Sequence, residues 1–249
     1  LRKTFRIMNK ELSIVLPVHN EKESLAIMVR LLISSLKFPH EIIIVHDSKE
    51  DNALDEANKL KKEFSNIKVI HNTIGRGVRN AIETGIQNSS YQLILITAVD
   101  EIFPIISIDH MLEKLLNGNF DFISGTRYSK GGSRLGGSLV GSILSRIANK
   151  VFNYLSKIEL TDCTTGIKMF KKEIWNNINF QSEQVGWAFA FEFSIKAYIN
   201  GYKTSEYPIK SVDRLFGGSS TFKFGPWVKE YLKLFIWGIN KIRKYKKKN

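Results

Sequence analysis

Short, mostly apolar runs alternate along the first hundred residues with longer stretches in which apolar side chains recur every three or four positions. Residues 13–17 (SIVLP), 41–45 (EIIIV), 67–70 (IKVI) and 93–97 (LILIT) are the short runs. Between them, residues 21–35 put Leu25, Met28, Val29, Leu32 and Ile33 on one helical face. Residues 52–64 read as a charged amphipathic helix and 78–87 as another. Strands this short and this apolar, separated by helices, predict parallel βαβ units with right-handed crossovers and both sheet faces covered. The second half is less regular. Helices are expected at 109–116, 142–156 and 189–200, and strands at 121–124 and 204–208, with a Gly-rich stretch over 125–141. No internal repeat or low-complexity linker divides the chain, so the expectation is one α/β domain.

Composition agrees: 249 residues, 43% hydrophobic and 24% charged, describe a globular chain with a real core and exclude a disordered or collagen-like one. Charge adds something new. The formal net charge is +13, which points to an anionic partner: nucleic acid, a membrane surface or a phosphorylated substrate. Residues 1–10 carry four basic residues and 241–249 six, with no acid in either, leaving 27 basic against 24 acidic residues between them. A basic excess confined to the two ends favours a membrane surface over a nucleic-acid groove, and no nucleic-acid recognition motif is present. The single cysteine, Cys163, cannot form an intrachain disulfide and reads as a small semi-buried residue. No apolar run reaches the about 18 residues that span a bilayer, and residues 12–18 read as a buried strand rather than a signal peptide.

In parallel α/β sheets, ligands bind beyond the carboxyl ends of the strands. Pro17, His19, Asn20 and Glu21 follow the first strand, His46 and Asp47 the second, Gly75-Arg76-Gly77 the third, and Ala98, Asp100 and Glu101 the fourth. Singly each has a plain explanation: Asn20 or Asp51 as a helix cap, Gly75 and Gly77 as a turn. A nucleotidyltransferase would place its Gly-rich loop after the first strand, where this chain has residues 17–21.

Taken jointly and in order, these blocks, with Gly125-Thr126-Arg127-Tyr128, the 162–170 stretch (DCTTGIKMF), Phe189-Ala190-Phe191-Glu192 and Asp213-Arg214, resemble the family 2 glycosyltransferases of the GT-A fold. The similarity runs from about Leu12 to about Phe224, and is strongest to the dolichol-phosphate mannosyltransferase-like branch that uses polyprenyl phosphate acceptors. It implies a Rossmann-like, mostly parallel central sheet flanked by helices, and an inverting transfer of sugar from a GDP- or UDP-sugar to a lipid phosphate. By the resemblance, Pro17, His19, Glu21, Asp47, Gly75, Arg76 and Asp100 would line the nucleotide-sugar site. Asp100 and Glu101 would hold Mg2+ or Mn2+; the family's Asp-x-Asp is here Ala98-Val99-Asp100, with its first acid missing. Arg127, Arg146, Lys168 and Arg214 match positions that touch acceptor or donor phosphate, and Asp100, Arg127 and Arg214 are the expected catalytic residues. Arginine suits phosphate because its planar guanidinium offers a fork of donors. Phe189, Phe191 and Trp187 read as core, and Glu192, an acid inside that apolar helix, needs a partner if buried.

The expected division is a catalytic domain over 1–225, with a nucleotide-sugar half (11–105) and an acceptor half (106–225), followed by a tail over 226–249. The tail interleaves Trp227, Tyr231, Leu234, Phe235 and Trp237 with lysines, which fits either an interfacial membrane anchor or a helix packed on the domain. The expected location is peripheral, on the cytoplasmic face of a membrane. The competing expectation, motivated by Ala98, is a catalytically silent relative that binds nucleotide sugar or a partner.

Overall fold

The structure is a computed structural model and describes residues 10–137, 139–183, 185–213 and 224–248. Its first half follows the predicted alternation: β1 (Leu12–Val18), α1 (Lys22–Ser35), β2 (His40–His46), α2 (Leu54–Glu63), β3 (Ile67–His71), α3 (Val78–Gln87), β4 (Leu93–Ile96) and α4 (Ile105–Asn117). The second half contains β5 (Phe122–Thr126), β6 (Ser133–Gly136), α5 (Leu139–Ser156), β7 (Lys168–Lys171), α6 (Lys172–Asn176), α7 (Ala188–Ile199), β8 (Thr204–Pro208), β9 (Lys210–Asp213) and α8 (Phe224–Lys246).

Seven strands form one sheet in the order β3-β2-β1-β4-β7-β5-β8. All run the same way except β7, which lies antiparallel between β4 and β5. Alternating strand residues feed two apolar layers. Ile14, Leu16, Ile42 and Ile44 pack beneath α1, α2 and α4, while Val15, Ile43, Val45, Phe122 and Phe170 pack against α3, α6, α7 and α8. Gly85 lets α3 lie on the sheet: a Cβ there would sit 2.4 Å from Val15 Cγ1.

Two elements go beyond the sequence expectations. Residues 168–171 (KMFK) form a central strand, although two lysines bracket a pair of apolar residues and no strand period is visible. The tail helix α8 packs on the domain: Leu234, Ile239 and Ile242 are buried, and Phe235 contacts the Phe152 and Phe191 rings. Gly238 permits that docking, since a Cβ would lie 2.6 Å from Ile195 Cδ1 and 3.1 Å from the Phe152 ring. The aromatic face that sequence offered to a membrane is therefore largely spent on the protein's own core.

A second, two-stranded ribbon pairs β6 with β9. It grows from the ends of β5 and β8, through Ile209 N–H to Thr126 O (2.9 Å) and Ser133 N–H to Ile209 O (3.0 Å). The ribbon thus sits at the carboxyl edge, beside the loops where ligands bind in this class of sheet.

Candidate active site

The carboxyl edge gathers the residues that follow β1 to β4. Asn20 adopts φ +60°, and the Asp51 carboxylate accepts from Asn20 N–H (3.1 Å) and Ala53 N–H (2.9 Å), closing the turn after β1. That turn leaves His19 exposed and brings the half-buried Glu21 within electrostatic reach of Asp100, across the β1–β4 pair. Burial, joined by the Asp100 charge, pushes the Glu21 carboxyl up to about 8. Two acidic side chains within electrostatic reach of one another on this edge make a place where a cation is favourable.

Asp47 organises the glycine loop. Its Oδ1 accepts from Asn72 Nδ2 (2.6 Å) and its Oδ2 from Gly77 N–H (2.9 Å). Asn72 also donates to Gly75 O (2.7 Å) and accepts from Thr84 Oγ1 (2.9 Å). Gly75 and Gly77 take φ of +138° and +124°, conformations that side chains rarely adopt, and Gly75 and Arg76 lie exposed on the rim. Asn72 is a residue that sequence reading missed. Its signal was slight, one buried amide between a strand and a glycine loop.

The arginine and lysine positions sort differently from expectation. Arg127 is 9% exposed and grips the wholly buried Asp162: Nε to Oδ2 at 2.7 Å and Nη2 to Oδ1 at 3.1 Å. Nη2 also donates to Thr164 Oγ1 (3.0 Å), so the fork serves an internal ion pair. Burial works against the Asp162 charge, but the Arg127 charge and hydrogen bonds outweigh it and hold the carboxyl below its usual range. Lys168 is corrected outright. As the first residue of β7 it is fully buried, with Nζ on Ser124 Oγ (2.8 Å), and burial lowers its ammonium to about 8. A side chain with no exposed surface does not meet an acceptor phosphate.

Arg146, on α5, is exposed and lies over the Tyr128 ring at 5.8 Å, with Arg127 5.2 Å from the same ring. Glu101 accepts from Ser211 Oγ of β9 (3.1 Å) and contributes to the field around Arg127. Arg214 follows β9 directly and lies outside the described residues, as do residues 217–220. Glu192 finds its partners in Lys196 (2.6 Å) and in Gln181 and Ser182 N–H (2.8 Å each). Cys163 is buried, and burial lifts its thiol to about 12.

The glycosyl transferase family 2 model matches residues 13–178, two thirds of the chain and nearly all of this edge. The chain belongs to that family. It is 26% identical over 189 residues to the dolichol-phosphate mannosyltransferase of Pyrococcus furiosus, covering 75% of this chain and 53% of that one. It is 24% identical over 232 residues to the polyprenol monophosphomannose synthase of Mycolicibacterium smegmatis, covering 91% and 86%. Against the glycosyltransferase AglD of Haloferax volcanii the match is 22% over 205 residues, or 80% of this chain and 32% of that one. The chain thus spans about half of the first relative and a third of the last. Among solved structures, a glucosyl-3-phosphoglycerate synthase from Mycobacterium tuberculosis, in complex with Mn2+, UDP and glucosyl-3-phosphoglycerate, superposes with TM-score 0.71. That superposition covers 92% of this chain and 80% of the other at 13% identity, and bears on the fold, which is GT-A.

Proposed function

We propose that this chain is an inverting glycosyltransferase that moves a sugar from a GDP- or UDP-sugar to a polyprenyl (dolichyl or undecaprenyl) phosphate or a related cell-envelope glycan acceptor. The observation that carries the reading is the pairing of Glu21 with Asp100 beside a glycine loop braced by Asp47, on the ligand-binding edge of a family 2 chain. Similarity to a dolichol-phosphate mannosyltransferase from Pyrococcus and a polyprenol monophosphomannose synthase from Mycolicibacterium supports the lipid-phosphate acceptor.

A phosphate acceptor arrives as an anion with a competent nucleophilic oxygen, so no general base is needed. The chain's task is alignment for in-line attack at the anomeric carbon, which inverts its configuration. The glycine loop, with exposed Gly75 and Arg76, lets the diphosphate approach backbone closely, while Pro17 and His19 line the entrance after β1. A divalent cation, Mg2+ or Mn2+, when bound supplies neutralisation of charge on the departing diphosphate. Among the described residues no group of three or more His, Cys, Asp or Glu side chains forms a cage. One or two carboxylates with substrate phosphates are, however, the usual donor set for such an ion. Asp100 would hold it, with Glu21 as second carboxylate in preference to Glu101, whose Oε1 is engaged by Ser211. Arg146 and Arg214 are assigned to the acceptor phosphate, and Arg127 to positioning Asp162 and Tyr128. The working location is the cytoplasmic face of a membrane, reached peripherally.

The deciding experiment measures binding of UDP- and GDP-sugars with Mn2+ or EDTA, then turnover on polyprenyl phosphate. Metal-dependent binding with transfer, lost in Asp100→Ala, is expected. Binding across donors with no turnover on any acceptor would establish the silent relative that Ala98 brings to mind.

A further inference from the structure

Residues 181–183 form no helix or strand, yet their backbone is held by three helices. The N–H groups of Gln181 and Ser182 donate to Glu192 Oε1 and Oε2 of α7 (2.8 Å each), and that of Glu183 to Glu230 Oε1 of α8 (3.0 Å). The Ser182 carbonyl accepts from Arg79 Nη1 of α3 at 2.8 Å. Both carboxylates are buried, Glu192 wholly and Glu230 with 6% exposure. A carboxylate inside a fold is costly unless its oxygens are engaged, and its bonds to backbone N–H are stronger than neutral ones. Three successive amides on two such groups therefore fix the place of this segment.

Arg79 connects the segment to the glycine loop. It lies in the first turn of α3, two residues after Gly77, whose φ is +124° and whose N–H sits on Asp47 Oδ2 (2.9 Å). One turn further along the same helix, Glu83 accepts from Trp175 Nε1 of α6. α3 is thus seated on the sheet through Gly85 and tied by Arg79 and Glu83 to the second half of the chain. On the other side, α8 faces residues 181–183 across a cleft of about 210 Å³, lined also by Lys233, Leu234 and Trp237, and the Glu230–Glu183 hydrogen bond spans it. Lys233 stands 3.5 Å from Glu230 Oε2 but is 61% exposed, so it adds little. Two hydrogen bonds and short pieces of backbone therefore join the C-terminal helix to the loop assigned to the diphosphate.

We propose that Glu230 is a positioning residue for nucleotide-sugar binding, acting from α8 through residues 181–183 and Arg79 on the glycine loop. The inference rests on the proposed function for the identity of the ligand. It makes the C-terminal helix a support of the donor site, although that helix lies beyond the residues 13–178 that carry the family match.

The test compares the full chain with Glu230→Ala, Glu230→Gln, Arg79→Ala and the double variant Glu230→Ala, Arg79→Ala. Calorimetry gives the binding of UDP and GDP with Mn2+, the transfer assay gives donor KM and kcat, and hydrogen exchange is followed in the free proteins. Glu230→Ala and Arg79→Ala should each raise the nucleotide Kd and the donor KM about tenfold, with kcat within about threefold of wild type. Glu230→Gln keeps an oxygen for Glu183 N–H and should stay within about threefold on every count. The double variant should also lose about tenfold, since both substitutions cut one link. Exchange over residues 77–81 should be at least about fivefold faster in Glu230→Ala, with residues 25–32 of α1 unchanged.

Unaltered exchange over 77–81 overturns the proposal. So does faster exchange with wild-type nucleotide affinity, which would make the link structural only, or an additive loss of about a hundredfold in the double variant. If circular dichroism shows that Glu230→Ala does not fold, Arg79→Ala at its half-buried site decides, and wild-type affinity there overturns the proposal. A wild type that binds neither UDP nor GDP removes the proposed function and the donor role of Glu230 together. Tight binding indifferent to all these variants removes the role of Glu230 alone.

Discussion

Glu21 couples the site to pH. Its carboxyl, pushed up to about 8 by burial and by Asp100, is largely protonated in the free protein near neutrality. A cation held by both carboxylates must displace that proton, so Mn2+-dependent binding of UDP or GDP should strengthen as pH rises towards 8 and then level off. Calorimetry at a series of pH values checks this, and Glu21→Gln should flatten the profile. The buried pair behaves differently. Asp162→Asn leaves the Arg127 guanidinium buried without its counter-charge and should cost about 3–5 kcal/mol in urea unfolding. Lys168→Met replaces a buried amine with an apolar chain of similar length. It should change stability by less than about 1.5 kcal/mol and leave the acceptor KM unaltered. A large KM rise there would return Lys168 to the phosphate site. Legibility at this scale was mixed. The places of Glu21, Asp47 and Asp100 on the carboxyl edge were readable because strand ends were readable. Lys168 was misplaced because its environment is made by Ser124 and Cys163, residues distant or unremarkable in sequence.

At the level of elements, close approaches carry the packing. Gly132 lies beneath the ends of β5, where a Cβ would stand 2.6 Å from Thr126 O and 2.9 Å from the Arg127 carbonyl carbon. Backbone cannot rotate out of the way as a side chain can, so Gly132→Ala should prise the β6–β9 ribbon from β5 and cost about 1–3 kcal/mol. Gly238→Leu should undock α8 by meeting Ile195 and Phe152, lowering the melting temperature and exposing the tail to protease. The βαβ half of the chain was legible because mostly apolar runs of four or five residues have few alternatives. β7, β6 and β9 were not, since their pairing partners, and not their own period, make them strands.

For the molecule as a whole, two groups of carboxyls act in opposite directions. Asp162, Glu192 and Glu41 lie below their ordinary values despite burial, held there respectively by Arg127, by Lys196 with Ser182, and by Lys68 with Ser13 and Ser90. The stability they contribute is present above the unfolded carboxyl range near 4 and is lost as pH falls through their folded values. Glu21 is raised, so its contribution is complete below about 4.5 and is lost as pH climbs towards 8. Unfolding midpoints in urea should therefore pass through a maximum in mildly acidic solution. In Glu21→Gln the decline towards pH 8 should be reduced while the acid limb is unchanged.

Hydrophobic spacing alone determined the strand–helix alternation, and with it the edge where such sheets bind ligands, because a parallel sheet buried on both faces demands apolar runs at those places. The ordered motifs after the strands determined the family. Tertiary structure alone decided which basic side chains reach solvent. Arg127 and Arg146 both look like phosphate ligands on paper, but one is folded over Asp162 and the other stands on the rim. It also decided which helix is left with an uncovered apolar face. Amphipathicity in sequence marks a stripe that needs covering, and only the assembled fold shows that α8 covers its own against Phe152 and Phe191 while α5 turns Phe152, Ser145 and Asn149 inward and leaves Ile143, Ile147 and Val151 exposed.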